Sequence, residues 1–293
     1  MSVYVNIMGG LGNQMFQFAM GYAMALRNNM PLWLDIRSLK ESAEEGNIKR
    51  AYELGCFSLP AAVVEANKME AILEAGKGKL ARYLGIGRIN RVEESGFRYN
   101  PAYSRTPTPV YINGYFQSEQ YFRDYTREIR SVFLKQAVIA ENDFWNQEIK
   151  SAAVPVAMHV RRGDYIANPE TLKFHGICDS VYYEKAVKNI LEKHAGARFF
   201  VFSDDIGAAA AELGHLSDNM RFVEHNTPRI AAYDMLLMSR CRHHIIANST
   251  YSWWGAWLNE NPDKMVIAPQ RWFADEAMQA QTGDLIPETW IRL

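Results

Sequence analysis

The sequence is short of several things, and each shortage removes a class of protein. Three cysteines in 293 residues, Cys56, Cys178 and Cys241, are too few and too scattered for a disulfide framework or a zinc-ligand spacing. That usage fits a reducing compartment. Charge of either sign is not in excess: 32 basic residues face 33 acidic ones, a net −1, so no general affinity for nucleic acid or an anionic surface is encoded. Long apolar runs are missing too. The longest, residues 15–26, is interrupted by Gln17, Gly21 and Tyr22 and is too short to span a bilayer. Met1-Ser2-Val3-Tyr4-Val5 leads into glycines rather than a charged start and an apolar core, so no secretory leader is expected. There is no internal repeat and no low-complexity stretch.

What is present is ordinary globular material, 48% hydrophobic and 22% charged. The length suits two domains of roughly 150 residues, and the pattern divides at 1–150 and 151–293. Strands are expected at 3–7, 31–35, 110–116, 154–160, 198–203, 244–247 and, last, 265–268. Helices are expected at 15–28, 69–81, 119–132, 179–194 (capped by Asp179 or Ser180), 230–239 and from Trp253 onward. This alternation is α/β, with parallel sheets. Ligands of such sheets collect at the carboxyl ends of strands. Four polar clusters sit at expected strand ends: 9–14, 161–165, 203–205 and 248–252.

His159-Val160-Arg161-Arg162-Gly163-Asp164-Tyr165 is the strongest of them. Arginine is a fixed, permanently charged fork of donors suited to phosphate oxygens, and a glycine lets backbone amides approach an anion. A structural salt bridge is the competing reading. Gly9-Gly10-Leu11-Gly12-Asn13-Gln14 lies between a strand and a helix, without the GxGxxG spacing or a Walker lysine. It is either a tight turn or an anion loop, and Asn13 and Gln14 favour ligand contact. In Asn248-Ser249-Thr250-Tyr251-Ser252-Trp253-Trp254, hydroxyls and helix-start amides could cradle phosphate, while Trp253, Trp254 and Trp257 pack the helix. Asp204-Asp205 lacks the further ligands a metal needs, so a structural or ribose-binding role is expected. Asp234 is either a solvated helix residue or an acceptor facing a base.

Taken together, Gly9 to Gln17, His159 to Tyr165 and Asn248 to Trp254 resemble the signature segments of the bacterial α-1,2-fucosyltransferases of glycosyltransferase family 11. Gly114-Tyr115-Phe116-Gln117 and Asp234 to Met238 add to the likeness, which runs in order over nearly the whole chain. The resemblance implies a GT-B-like α/β fold, two Rossmann-type domains facing each other across a cleft. Residues 1–150 would be the acceptor side and 151–293 the GDP-fucose side. It implies inverting transfer of L-fucose from GDP-β-L-fucose to the 2-hydroxyl of a terminal β-galactose on an oligosaccharide, with no cofactor and no metal. Nucleic acid is not an expected partner. The expected location is cytoplasmic with no membrane span, peripheral attachment at the inner face of the membrane being left open.

Carried over, Arg161 neutralises the β-phosphate of the leaving GDP, supported by His159, Arg162 and Asp164. Asn13, with Gly12, reaches the pyrophosphate or fucose. Asp234 reads guanine, Asn248, Ser249, Thr250 and Tyr251 line the phosphates, and Asp204 or Asp205 lies near the nucleoside. For a base on the acceptor hydroxyl, Asp164, His159, Asp35 and Glu119 stay open, as does a dissociative path with little need of one. Other readings are a non-catalytic nucleotide-sugar sensor and a fucosyltransferase of different linkage, since the arginine motif is shared with α-1,6 and protein O-fucosyltransferases. A glycosidase would need a flanking carboxylate pair, and none is read.

Overall fold

Short apolar runs build the first sheet. Strands β1 (Val3–Asn6), β2 (Leu32–Asp35), β3 (Ala62–Val63), β4 (Asn90–Glu93) and β5 (Val110–Asn113) are all parallel, in the order β3-β2-β1-β5-β4. Val3 and Val5, which share one face of β1, are fully buried, and Tyr4 on the other face is half-buried. Helix α1 (Leu11–Asn28) follows β1 and packs against it closely; a Cβ on Gly21 would lie 2.2 Å from Val5 Cγ2. The helix begins four residues earlier than the sequence suggested, because Gly10 already has N-cap geometry (φ −80°, ψ 175°). The second half of the glycine-rich "turn" is therefore the first helical turn. Helix α2 (Ala66–Glu74) occupies part of the helix expected at 69–81. The helix expected at 119–132 is two 3₁₀ turns, Glu119–Tyr121 and Arg123–Tyr125, followed by α3 (Thr126–Leu134).

In this computed structural model, residues 1–39, 50–75, 88–135, 139–140, 143–162, 176–225 and 232–293 are described. The chain forms two units, Met1–Gln136 and Ala137–Leu293, and residue 150, the sequence-expected boundary, falls within α4 (Phe144–Ser151) of the second.

The second sheet contains β6 (Val154–Val160), β7 (Ala197–Ser203), β8 (Met220–Phe222), β9 (His243–Ile245), β10 (Val266–Ala268) and β11 (Ile291–Arg292). All are parallel, in the order β11-β10-β9-β6-β7-β8. Read from β8, that is the 3-2-1-4-5-6 order of dinucleotide-binding sheets. Strand β11 extends the sheet beyond the strand expected to be last. Helices α5 (Ser180–Lys193), α6 (Ile206–Leu213), α7 (Tyr233–Ser239), α8 (Thr250–Leu258) and α9 (Glu276–Gln279) connect or flank the strands. Asp179 caps α5 as expected, accepting from the Tyr182 amide at 2.9 Å.

The second sheet reverses its winding once, between β6 and β9, whereas in the first the chain crosses from β3 to β4 at the far edge and turns back to β5. The β6/β9 reversal is a place where an open α/β sheet leaves a crevice for a ligand. Among the described residues, no helix is long and apolar enough to cross a membrane.

Candidate active site

The two adjacent arginines part company at the end of β6. Arg161, half-buried, donates from Nη1 to Ser249 Oγ at 3.3 Å. Ser249 occupies the N-cap position of α8, yet its hydroxyl makes no cap bond and accepts from the arginine instead. One partner follows β6 and the other follows β9, so their contact bridges the switch point of the second sheet.

Arg162 goes the other way. It is 4% exposed, and its Nε and Nη2 form a fork on Glu212 at 2.9 and 2.8 Å. Its Nη1 donates to the carbonyls of Arg161 and Cys178, both at 3.0 Å, and its guanidinium lies 5.8 Å from the Tyr183 ring centroid. The expectation that Arg162 grips the donor is corrected: alternation persists past the strand end, and the second guanidinium is consumed beneath the sheet's edge. Gly163, Asp164 and Tyr165 lie outside the described residues.

His159 is 7% exposed, and burial, reinforced by the Arg161 charge, pushes its pKa down to about 4 against the opposing pull of Asp204. The imidazole is neutral near pH 7. Its ring lies 5.8 Å from that of Tyr251, whose hydroxyl accepts from the Met235 amide at 3.0 Å. The neighbouring Asp234 pairs with His225 Nε2 at 2.7 Å, with about a third of its side chain exposed. Asp204 accepts from the Arg162 backbone amide at 2.7 Å. His159, Arg161, Asp204, Ser249, Tyr251 and Asp234 are thus joined through direct or single-residue links, and Thr250 opens α8 beside them.

Two expected ligand residues have other employment. The Asn248 amide donates to the carbonyls of Gly176 and Trp272, both at 3.2 Å, and its oxygen faces Cys178 Sγ at 3.7 Å. Its side chain ties three loops together rather than lining phosphates. Asp205 caps α6, accepting from the Ala208 amide at 2.9 Å. Trp253, Trp254 and Trp257 are core, as expected. Among the described residues, no three His, Cys, Asp or Glu side chains cluster as metal ligands would.

In the first unit, Gly9 has φ +74°, and a Cβ there would lie 2.7 Å from Asn13 Nδ2. The missing side chain makes room for that amide. Asn13 Oδ1 accepts from Gln117 Nε2 at 3.0 Å, which fixes how the amide is turned. Gly12 is buried in the first turn of α1. Gln14 is fully buried, bonding the carbonyls of Gly9 and Ala51 and the amide of Glu53, so it braces the loop. Asp35, offered as a base, is 1% exposed, forked by Arg37 and bonded by the Tyr111 hydroxyl at 2.9 Å; it is corrected to a structural anion. Glu119 is half-buried and 3.9 Å from Arg123. Sequence reading gave Gln117 and Glu212 no role. Gln117 lay inside a recognised segment, whereas nothing local marked Glu212 as the partner of Arg162.

The two parallel sheets with these strand-end sites make this a GT-B-like α/β protein. The model described as Glycosyl transferase family 11 matches residues 101–293. The chain is 33% identical to an α-1,2-colitosyltransferase of Escherichia coli, over 99% of this chain and 98% of that protein. It is 31% identical to the O-antigen biosynthesis glycosyltransferase WbnK of Escherichia coli, over 99% and 100%. It is 23% identical to the galactoside 2-α-L-fucosyltransferase SEC1 of Bos taurus, over 87% and 63%. The chain belongs to glycosyl transferase family 11, the fucosyltransferase-like family that its three sequence segments resemble.

Proposed function

We propose that this chain moves L-fucose from GDP-β-L-fucose to the 2-hydroxyl of a terminal β-galactose, with inversion and without a metal. The observation that carries the reading is the Arg161–Ser249 contact across the switch point of the second sheet. Breaking the sugar–phosphate bond leaves an electron pair on GDP. In a metal-free site, a fixed guanidinium and the amides opening α8 are the groups that stabilise it. Ser249 holds Arg161 in place before the charge develops, which is what electrostatic preorganisation requires. Asp234 and Tyr251 take the nucleoside side; within the first unit, Asn13 is the amide offered for ligand contact, turned by Gln117. The name of the Bos taurus relative supports fucose and the galactoside 2-position. Free Cys56, Cys178 and Cys241 support a cytoplasmic place of action.

The test is Arg161→Ala. Loss of one such donor costs about 3–4 kcal/mol in the barrier, so turnover falls by at least ~100-fold while the fold survives. A folded Arg161→Ala protein with near-normal turnover refutes the assignment.

A second donor is favoured by one observation: the 33% identical relative is named for colitose, which is fucose without its 3-hydroxyl. A site that bonds that hydroxyl rejects the deoxy sugar by orders of magnitude, whereas a site with no partner for it discriminates little. Side-by-side kcat/KM values for GDP-fucose and GDP-colitose separate the two. The fucose reading expects a preference of roughly 100-fold or more for GDP-fucose; the reverse preference replaces fucose by colitose.

A further inference from the structure

Helix α5 covers the second sheet with one face and leaves its outer side without a partner. Tyr182, Tyr183, Ala186, Val187 and Ile190 are buried in the core. Val181, Glu184, Lys188 and Leu191 follow one another along the outer side at intervals of three, four and three residues. That is the a/d spacing of a seam along which a second helix packs. Val181 is 50% exposed, and Ile177, just before the helix, is 39% exposed. Leu191 is half-buried. With Val187, Leu216, Glu184, Lys188 and Glu192 it lines a groove of about 390 Å³ between α5 and the 3₁₀ turn Gly214–Leu216.

The charges on this seam are unpaired. Glu184 and Lys188 are exposed and stand at the i,i+4 spacing that lets such residues meet on a helix surface. Neither side chain makes an ion pair or hydrogen bond among the described residues, and the same holds for Glu192. Their positions decide what fits the seam. In a parallel pair of α5 helices each seam position meets its own copy, so glutamate faces glutamate and lysine faces lysine. In an antiparallel pair, a positions face d positions. Glu184 and Lys188 lie about 3 Å on either side of Ala186 along the helix axis, and Val181 and Leu191 about 7.5 Å. A two-fold axis level with Ala186 therefore sets Glu184 against the partner's Lys188, Lys188 against the partner's Glu184, and Val181 against the partner's Leu191 at both ends. The face thus meets itself with opposite charges in contact and apolar groups together, as an isologous contact requires.

We propose that this face of α5 is the contact surface for a second copy of the chain, the two α5 helices packing antiparallel across a two-fold axis. The helix has 14 residues and is about 21 Å long. A contact of that length buries less than the roughly 1,200 Å² typical of stable complexes, so the dimer is weak and forms at high protein concentration. The pairing does not depend on which sugar is transferred.

Sedimentation equilibrium of the full chain, taken up to roughly 500 µM, tests this. The mass of the wild type is expected to rise with concentration toward that of two chains. Glu184→Lys sets lysine against lysine twice, and Lys188→Glu sets glutamate against glutamate twice. Each variant alone should self-associate about tenfold or more weakly than wild type, because like charges in contact oppose association. An equimolar mixture of the two variants restores both opposite-charge pairs and is expected to associate at least as strongly as wild type, which a folding defect in either variant would not allow. A wild type that stays monomeric over the whole range overturns the proposal. So does self-association that neither reversal weakens, or a mixture that fails to pair.

Discussion

Replacing Arg162 and Arg161 separately by alanine gives opposite losses. Arg162→Ala removes a fork on Glu212 and two bonds to the carbonyls of Arg161 and Cys178, which together fasten the end of β6 to α6 and to the segment before α5. Deleting one partner of a buried pair costs about 3–5 kcal/mol. Glu212 is a third exposed and regains water when the arginine goes, which trims the figure to about 3 kcal/mol. For a unit of this size each kcal/mol moves the midpoint by about 2–4 °C, so the thermal midpoint falls by roughly 6–12 °C. Well below that midpoint, turnover is expected to stay within about tenfold of wild type, because the Arg162 guanidinium is taken up by Glu212 and two carbonyls. Arg161→Ala does the reverse: the midpoint shifts by less than about 2 °C and turnover drops by at least ~100-fold. Circular-dichroism melts and initial rates on the two purified variants decide it. An Arg162→Ala protein that melts like wild type but has lost its turnover refutes the division of labour.

Burial holds His159 and His243 near a pKa of about 4 and His244 well below the ordinary histidine value, whereas in the unfolded chain each titrates near 6.5. The unfolded state therefore binds more protons between those values. Their contribution to stability is complete above about pH 6.5 and declines as pH falls toward 4, by up to ~1.4 kcal/mol per pH unit for each histidine. Urea midpoints should hold between pH 7.5 and about 6.5 and fall from there to pH 4.5, and a flat series over the lower range contradicts this. Gly9→Ala places a Cβ 2.7 Å from Asn13 Nδ2 at φ +74°, so the donor-side amide must move; kcat/KM for the donor is expected to fall roughly tenfold or more, and an unchanged value counts against a role for Asn13. Gly114→Ala sets a Cβ 2.3 Å from Glu94 Cβ at φ +153°. It disrupts the turn whose Tyr115 and Phe116 amides Glu94 accepts, and a loss of about 1–3 kcal/mol in denaturant unfolding is expected.

The alternation of apolar strand runs with amphipathic helices was enough to show an α/β chain, because buried parallel strands such as Val154–Val160 are apolar but for one residue, His159. The strand-end clusters at 161 and 249 were visible for the same reason. What local sequence could not show was direction. Arg161 and Arg162 are chemically identical, and only the end of β6 decides which faces Ser249 and which faces Glu212, fifty residues on. Asn248 looked like a phosphate ligand because its partners, the carbonyls of Gly176 and Trp272, are distant in sequence and carry no side-chain signature. The early start of α1 was hidden by glycines that read as a turn and act as its cap.

The transfer itself is the most direct measurement. The protein is incubated with GDP-β-L-fucose and lactose without added metal, and the product linkage is read by NMR. A new α-anomeric fucose signal coupled to the galactose C2 is the expected result, with GDP released in equal amount. Fucose on any other position, or GDP-fucose bound with no product from any galactoside, contradicts the proposed function.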